Sequence, residues 1–420
     1  MRRRTLIEDG AIAIKNGKIT LVDKYSSAEN IQAETKIDAR KKIAMPGLIN
    51  CHTHVPMTLF RGIAEDQPLK TWLRETIWPL EAKLNPEDVH IGALLGCLEM
   101  IKSGTTCFAD MYFHEDMVAK AVKKSGIRGV LSEGIIEAGN KSIGKRMFRQ
   151  STEFAKNFNG YADNRVTTLL GPHAAYSCSP ELLSKIKKAS SELEIGIHIH
   201  LAESRKMFTE FEKTYGSSEV EFLDEMSFFK GHVLAAHCID VSKSDRDVLC
   251  SNHVNVAHAP VANMKLGLGP AKVKDLMDLG VNVGLGTDGP ASNNTLDMFE
   301  TMKTATLLQK LAYSNPSVLP VYDVLEMATI NGAKALGLEN SIGSLEPGKK
   351  ADVILIDLSK PHLKPLHNVM ANIVHSAHGS DVNTVIVDGK ILMEDRCLKT
   401  LDEKMIMEKA TSAASNLLSR

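Results

Sequence analysis

The chain has 420 residues, 43% of them hydrophobic, enough to bury one large core with a smaller companion domain. Its 50 lysines and arginines balance 51 aspartates and glutamates, and the short runs Arg2-Arg3-Arg4 and Lys187-Lys188 read as a solvated end and a helix face, so neither nucleic acid nor a membrane surface is an expected partner. No apolar run spans a bilayer, no signal-peptide core is present, and seven scattered cysteines without C-x-x-C spacing fit reduced thiols; a cytoplasmic protein is expected.

In chain order, Ala11-Ile12-Ala13-Ile14 and Ile19-Thr20-Leu21-Val22 flank Asn16-Gly17, a strong hairpin signal. Similar vocabulary returns in Val353-Ile354-Leu355-Ile356 and Thr384-Val385-Ile386-Val387. Residues 1–43 and 345–398 are therefore expected to pair into one small β-sandwich-like domain, with 44–344 inserted as a catalytic domain and 399–420 as a C-terminal helix packed on the body. The insert opens with the apolar run 44–54. A loop-rich segment from Met57 to about Pro86 and a helix over 89–103 follow. Further β-rich runs cover 105–110, 127–133, 166–172, 196–201, 233–237, 254–258 and 281–287, most of them separated by helical stretches such as 117–125, 180–193 and 272–279. Counting the opening run gives eight, the number that closes a (β/α)8 TIM-type barrel; no Gly-x-Gly-x-x-Gly follows the first strand to favour an open doubly wound sheet.

In such a barrel catalytic groups sit at the C-terminal strand ends. The first run ends in His52-Thr53-His54, whose period of two turns both imidazoles to one side. The fourth ends in Gly171-Pro172-His173, the fifth in His198-Ile199-His200 followed by Leu201-Ala202-Glu203, the sixth in His237, the seventh in His258 and the eighth in Asp288. One buried histidine is usually a satisfied core group, but so many at strand ends share a purpose, because each alone is a costly polar burial. His52, His54, His200 and Asp288 are the imidazole and carboxylate mixture that suits Zn²⁺ or another divalent first-row ion. A water at such an ion becomes a hydroxide nucleophile near neutral pH. Glu203, one step past its strand, suits a proton shuttle; His237 can orient the hydroxide, and Asp288 can take the water's proton.

With these residues in place the sequence resembles the amidohydrolase superfamily, and within it the 5'-methylthioadenosine/S-adenosylhomocysteine deaminases and the related 5'-deoxyadenosine deaminases. The resemblance runs through Pro46-Gly47-Leu48-Ile49-Asn50-Cys51-His52-Thr53-His54, Asp110-Met111-Tyr112-Phe113, Gly171-Pro172-His173, His198-Ile199-His200-Leu201-Ala202-Glu203 and Gly286-Thr287-Asp288-Gly289. It implies one divalent metal on His52, His54, His200 and Asp288, zinc first and iron or manganese as other candidates. Glu203 is then the acid that protonates a ring nitrogen, and His237 assists attack at C6 of adenine. It also implies a small-molecule nucleoside substrate, with Glu81 in Trp72-Leu73-Arg74-Glu75-Thr76-Ile77-Trp78-Pro79-Leu80-Glu81 on the ribose hydroxyls. His173 and Trp72 join the substrate site, and Arg146 lies near the position of a substrate-binding arginine. Where some relatives have another arginine, this chain has Glu133, which lowers S-adenosylhomocysteine relative to the shorter 5'-modified adenosines. The alternatives on the same site are guanine deamination and triazine dechlorination, and from another class a non-catalytic barrel that acts as a binding protein. The sequence leaves oligomeric state open, a homo-oligomer included.

Overall fold

The computed structural model describes residues 5–420; the Arg2-Arg3-Arg4 run lies outside them. Gly10–Lys15 (β1) and Lys18–Lys24 (β2) pair antiparallel. Asn16 and Gly17 between them both take positive φ, 52° and 75°, as a tight hairpin with matching strand twist requires. This hairpin forms its own two-stranded sheet and is tied to the far end of the chain by Ile19 N to Lys349 O and Ala351 N to Gly17 O, each 2.9 Å.

Lys42–Pro46 (β3) belongs to a different sheet, and the barrel begins only after Gly47. Its strands are Leu48–Thr53 (β4), Thr105–Tyr112 (β5), Arg128–Ile135 (β6), Val166–Thr168 (β7) with Gly171–Pro172 (β8), Ile197–Leu201 (β9), Val233–His237 (β10), Asn255–His258 (β11) and Asn282–Leu285 (β12). β7 and β8 are two pieces of the fourth strand, and both pair parallel with β6. Every other pair in the barrel is parallel as well. Parallel bridges from Leu170 to Ile197 and from Ala174 to His200 join the two half-sheets on one side. On the other, Asp288 N donates to His52 O at 2.9 Å. The result is the (β/α)8 barrel, with strands buried on both faces and therefore read in sequence as nearly continuous apolar runs.

The C-terminal region contributes Val353–Asp357 (β13), Val382–Val387 (β14), Lys390–Glu394 (β15) and Cys397–Leu398 (β16), an antiparallel run that β3 completes by pairing with β13. The chain ends in the helix Glu403–Ser419, which buries Ile406, Ala410 and Leu417 and pairs Glu403 with Lys102 at 2.7 Å. The seven cysteines form no disulfide, and no helix is long and apolar enough to cross a membrane among the described residues.

Residues 44–46, expected to open the barrel, lie in the C-terminal sheet instead, and one further segment differs from the sequence reading. The stretch expected as loop contains a continuous helical run, Leu69–Thr71, a π-helical turn Trp72–Ile77 and Trp78–Glu81. Trp72, Leu73 and Ile77 are buried, which supplies the packing face, and Pro79 falls at the start of the last piece. Pi turns of this kind are uncommon and occur mostly at functional sites.

Barrel and C-terminal sheet are clasped by Arg128 on β6 and Asp352, which meet through two hydrogen bonds of 3.2 Å with both side chains almost wholly buried. Asp352 also accepts from Asp388 N at 2.8 Å. Asp352→Ala strands the guanidinium without its partner and is expected to cost about 3–5 kcal/mol in urea denaturation. A loss under about 1 kcal/mol shows that the clasp contributes little.

Candidate metal centre and active site

The strand ends converge. One ring nitrogen or carboxylate oxygen from each of His52, His54 and His200 lies within 4.8 Å of the others, and the same holds for His52, His237 and Asp288. His54 Nε2 stands 3.3 Å and His52 Nε2 3.5 Å from Asp288 Oδ1, and His200 Nε2 is 3.3 Å from His54 Nε2.

The opposite nitrogens are tied down. His54 Nδ1 donates to Met111 O at 2.6 Å and His200 Nδ1 to His173 O at 2.8 Å. His52 Nδ1 meets His198 Nε2 at 2.9 Å, and His198 Nδ1 reaches Ser132 Oγ at 3.3 Å. With those protons on Nδ1, each Nε2 presents a lone pair to the centre. Asp288 is held by Gly289 N at 2.8 Å and by Ser292 Oγ at 2.7 Å. His52 Nε2 and His237 Nε2 are buried without a hydrogen-bond partner. Orphaned inward nitrogens beside an anchored carboxylate are the donor set a divalent first-row ion requires.

With no cation between them, the buried rings and Asp288 act strongly on one another. Burial drives His52 down to about 4. Burial also opposes charge on His54, yet the hydrogen bond and charge of Asp288 outweigh it and raise that imidazole to about 9. Asp288 is itself pushed up by burial and pulled down more strongly by His52 and His54, ending well below the usual carboxylate range. Glu203, buried 3.7 Å from His237 Nε2, is raised by desolvation, with His237 opposing. His237 Nδ1 is bonded to Asn263 Oδ1 at 3.0 Å.

Backbone strain gathers here too. His237 and Asp288 have φ of 72° and 63°, and Ala202, beside Glu203, has φ of 48°. Non-glycine residues in this region cost about 1–3 kcal/mol each and persist where surrounding structure holds them. For Ala202 the support is Glu219, a buried carboxylate that accepts its N–H at 3.1 Å.

Above the cluster opens a cavity lined by Trp72, Glu81, His173 and Glu203 together with His54, His200, His237 and Asp288. Tyr112, Phe113, Trp78 and Leu266 are among its other walls. Burial raises Glu81 to about 7, and a hydrogen bond with Tyr112 opposes the shift. Arg146 is not brought there: it is exposed on the helix Lys141–Phe158. Glu133 turns instead to the start of the helix Glu115–Ser125, where it accepts from His114 N at 3.2 Å and Glu115 N at 2.8 Å. His258 is wholly buried, and burial lowers it to about 3. The sequence reading named His198 among the strand-end histidines and Tyr112 in a motif, but the supporting roles of these two and of Asn263, Ser292 and Glu219 escaped it. Only His198, two residues before His200 on the same strand face, carried a local signal for its position.

A parallel barrel whose strand ends carry this cluster is a metal-dependent hydrolase scaffold. The chain belongs to the amidohydrolase family, whose family model matches residues 43–392. It is 50% identical over 414 residues to a 5'-deoxyadenosine deaminase of Methanosarcina mazei, covering 99% of this chain and 95% of that one. It is 46% identical to a 5-methylthioadenosine/S-adenosylhomocysteine deaminase of Desulforamulus reducens, covering 98% and 95%. Among solved structures it superposes with a TM-score of 0.96 on a zinc-bound adenosine deaminase from Xanthomonas campestris, 32% identical, covering 100% of this chain and 96% of that one.

Gly286, just past β12, packs on the ligand strand: a Cβ there would lie 2.9 Å from His52 N, Cβ and O. Gly286→Ala is therefore expected to displace His52 and weaken divalent-metal affinity about 10- to 100-fold, read by competition with a chelator. Unchanged affinity would show that the strand yields without moving the imidazole.

Proposed function

We propose that the chain is a metal-dependent deaminase of 5'-modified adenosines, including 5'-deoxyadenosine, 5'-methylthioadenosine, S-adenosylhomocysteine and adenosine, releasing ammonia and the inosine analogue. The observation that carries this reading is Glu81, which shares one cavity with the metal-site histidines and Glu203. Close identity to deaminases of such nucleosides supports it.

His52, His54, His200 and Asp288 would hold a zinc ion, which supplies hydroxide at neutral pH by lowering the pKa of water. Glu203, whose burial favours its neutral form, gives a proton to a ring nitrogen and makes C6 electrophilic. His237, oriented by Asn263, hydrogen-bonds the attacking oxygen through Nε2. Asp288 takes the hydroxyl proton of the attacking oxygen and passes it to the exocyclic amine, which leaves as ammonia while C6 becomes a carbonyl; the proton released when the water ionised restores Glu203. The Glu81 carboxylate accepts from the two ribose hydroxyls. His173, whose Nδ1 is bonded to Ser177 Oγ at 3.0 Å, offers its other nitrogen to substrate, and Trp72 contributes a buried indole N–H without a protein partner. A carboxylate placed for two hydroxyls disfavours a free base such as guanine, or a triazine, because neither brings those hydroxyls to it.

Ammonia release from 5'-deoxyadenosine and 5'-methylthioadenosine by zinc-loaded protein, with guanine as the contrast, tests the reading. Glu203→Gln should retain the metal yet lose about 10²- to 10⁴-fold in turnover; a rate near that of the unaltered enzyme removes Glu203 from the proton path.

Glu81 gives a pH signature. Its carboxyl accepts from both ribose hydroxyls at once only when ionised, and burial holds its pKa at about 7. As pH falls from 8 to 6 the KM for 5'-deoxyadenosine should rise, while a 2',3'-dideoxy analogue stays flat over the same range. Glu81→Gln should raise the KM at pH 8 by about 10- to 100-fold, the loss of a charge-assisted hydrogen bond. An identical pH profile for both substrates takes Glu81 off the ribose.

A further inference from the structure

Glu203 stands just past the end of its strand, where the sheet no longer holds the chain. The last partners in the register of β9 with β10 are Leu201 and His237. From there both chains turn away through positive φ, 48° at Ala202, 72° at His237 and 47° at Cys238. The buried Ala202 N–H therefore meets no strand carbonyl, and a buried donor needs an acceptor. Glu219 supplies it, accepting at 3.1 Å through one carboxyl oxygen.

The chain returns to this point after the excursion through the helix Arg205–Tyr215, and Glu219 opens the next helix, Glu219–Glu225. That helix is itself anchored: Ser218 Oγ donates to the buried Asp245, and Val220 and Leu223 are packed inside. Glu219 is 2% exposed and stands outside the walls of the active-site cavity. The carbonyl side of Ala202 carries the connection further. Ala202 O accepts from Ile239 N at 3.0 Å and Asp240 N at 3.1 Å, and Leu201 O accepts from Cys238 N at 3.0 Å. The turn that presents Glu203 is thus bonded to the turn that presents His237, and the two side chains end 3.7 Å apart.

We propose that Glu219 is a positioning residue for this pair: by fixing the Ala202 turn it sets where Glu203 stands and, through Ala202 O, where His237 faces it. The inference rests on the deaminase reading, in which those two groups serve the substrate ring. A left-handed alanine persists only where its surroundings hold it, and an N–H left without its acceptor favours a turn that relaxes towards ordinary backbone. What the position requires is an oxygen at that reach.

The zinc-loaded protein tests this with 5'-deoxyadenosine. Glu219→Leu, which fills the space without an acceptor, should lower kcat about 10- to 100-fold, as a misplacement of about 1 Å does. KM, and zinc affinity read by competition with a chelator, should each stay within about three-fold, because the ribose wall and the metal donors stand on other bonds. Glu219→Gln, whose amide oxygen accepts the same N–H, should keep kcat within about three-fold. Glycine takes positive φ without strain, so Ala202→Gly added to Glu219→Leu should recover about 3- to 10-fold of kcat. Unchanged kcat in Glu219→Leu, a loss that the glycine leaves untouched, or an equal loss of zinc affinity overturns the role. If Glu219→Leu does not fold, Glu219→Asp, one methylene too short to reach Ala202 N, takes its place with the same expectation. If Glu203→Gln keeps its rate, or no nucleoside is deaminated, it is the deaminase reading that fails. A crystal structure of the Glu219 variant then decides the positioning role, and Glu203 and His237 placed as in the unaltered protein overturn it.

Discussion

The seam between β4 and β12 carries the structure and the chemistry together. It is where the first and eighth strands close the barrel, and it brings His52, His54 and Asp288 side by side. Asn50 fastens it from within, donating to Thr287 Oγ1 at 2.7 Å and accepting from Thr287 N at 3.0 Å. Thr53 Oγ1 donates to Asp288 O at 3.0 Å. These groups are buried, so each bond saves a desolvation cost of about 1–3 kcal/mol that an unmade bond would incur. Absence of a side chain at Gly286 lets the two backbones approach. Closure and ligand placement are one constraint, since neither strand can shift without moving a donor atom.

The second layer fixes direction. A histidine on a strand end could turn either nitrogen inward, and the choice here is made by what the other nitrogen meets. Main-chain carbonyls of Met111 and His173 serve two rings, and His198 serves a third. None of these is a carboxylate, so the imidazoles gain orientation without a second negative charge, and Asp288 remains the anion against them. Positive φ at His237 and Asp288 adds strain that the seam and its neighbours must hold. The centre is thus preorganised by bonds that lie behind it, which is what a site handling several protons needs.

How much of this was legible depends on the range of the interaction. His52 and His54 were readable because a period of two is a local rule, and alternating apolar runs with helices announced the barrel for the same reason. Asp288, His200 and Glu203 stood out once strand ends were lined up, since the fold concentrates chemistry there. The anchors Asn263, Ser292 and Glu219 are ordinary polar residues whose roles exist only through contacts made by folding. The run Leu69–Glu81 was hidden because Pro68, Pro79 and the polar residues around them look like loop, while its π-helical turn is specified by packing against the barrel mouth. Glu133 could be seen to replace a cation; that it would cap a helix could not, because His114 and Glu115 reach it only across the sheet edge. Arg146 illustrates the converse: proximity in an alignment says little about a side chain on the outer face of a helix.

Chemistry and selection consequently occupy different parts of the molecule. The candidate metal donors His52, His54 and Asp288 sit at strand ends locked by the seam, and the groups proposed to move protons, Glu203 and His237, lie at neighbouring strand ends. In the proposed reading the wall that meets the ribose comes largely from the single helical run that presents Trp72 and Glu81 to the cavity. That run makes no bond to the seam residues, so a substitution at its outer face leaves the ligand geometry as it is. The proposed ribose contact therefore stands on an element separate from the seam that brings the candidate metal donors together.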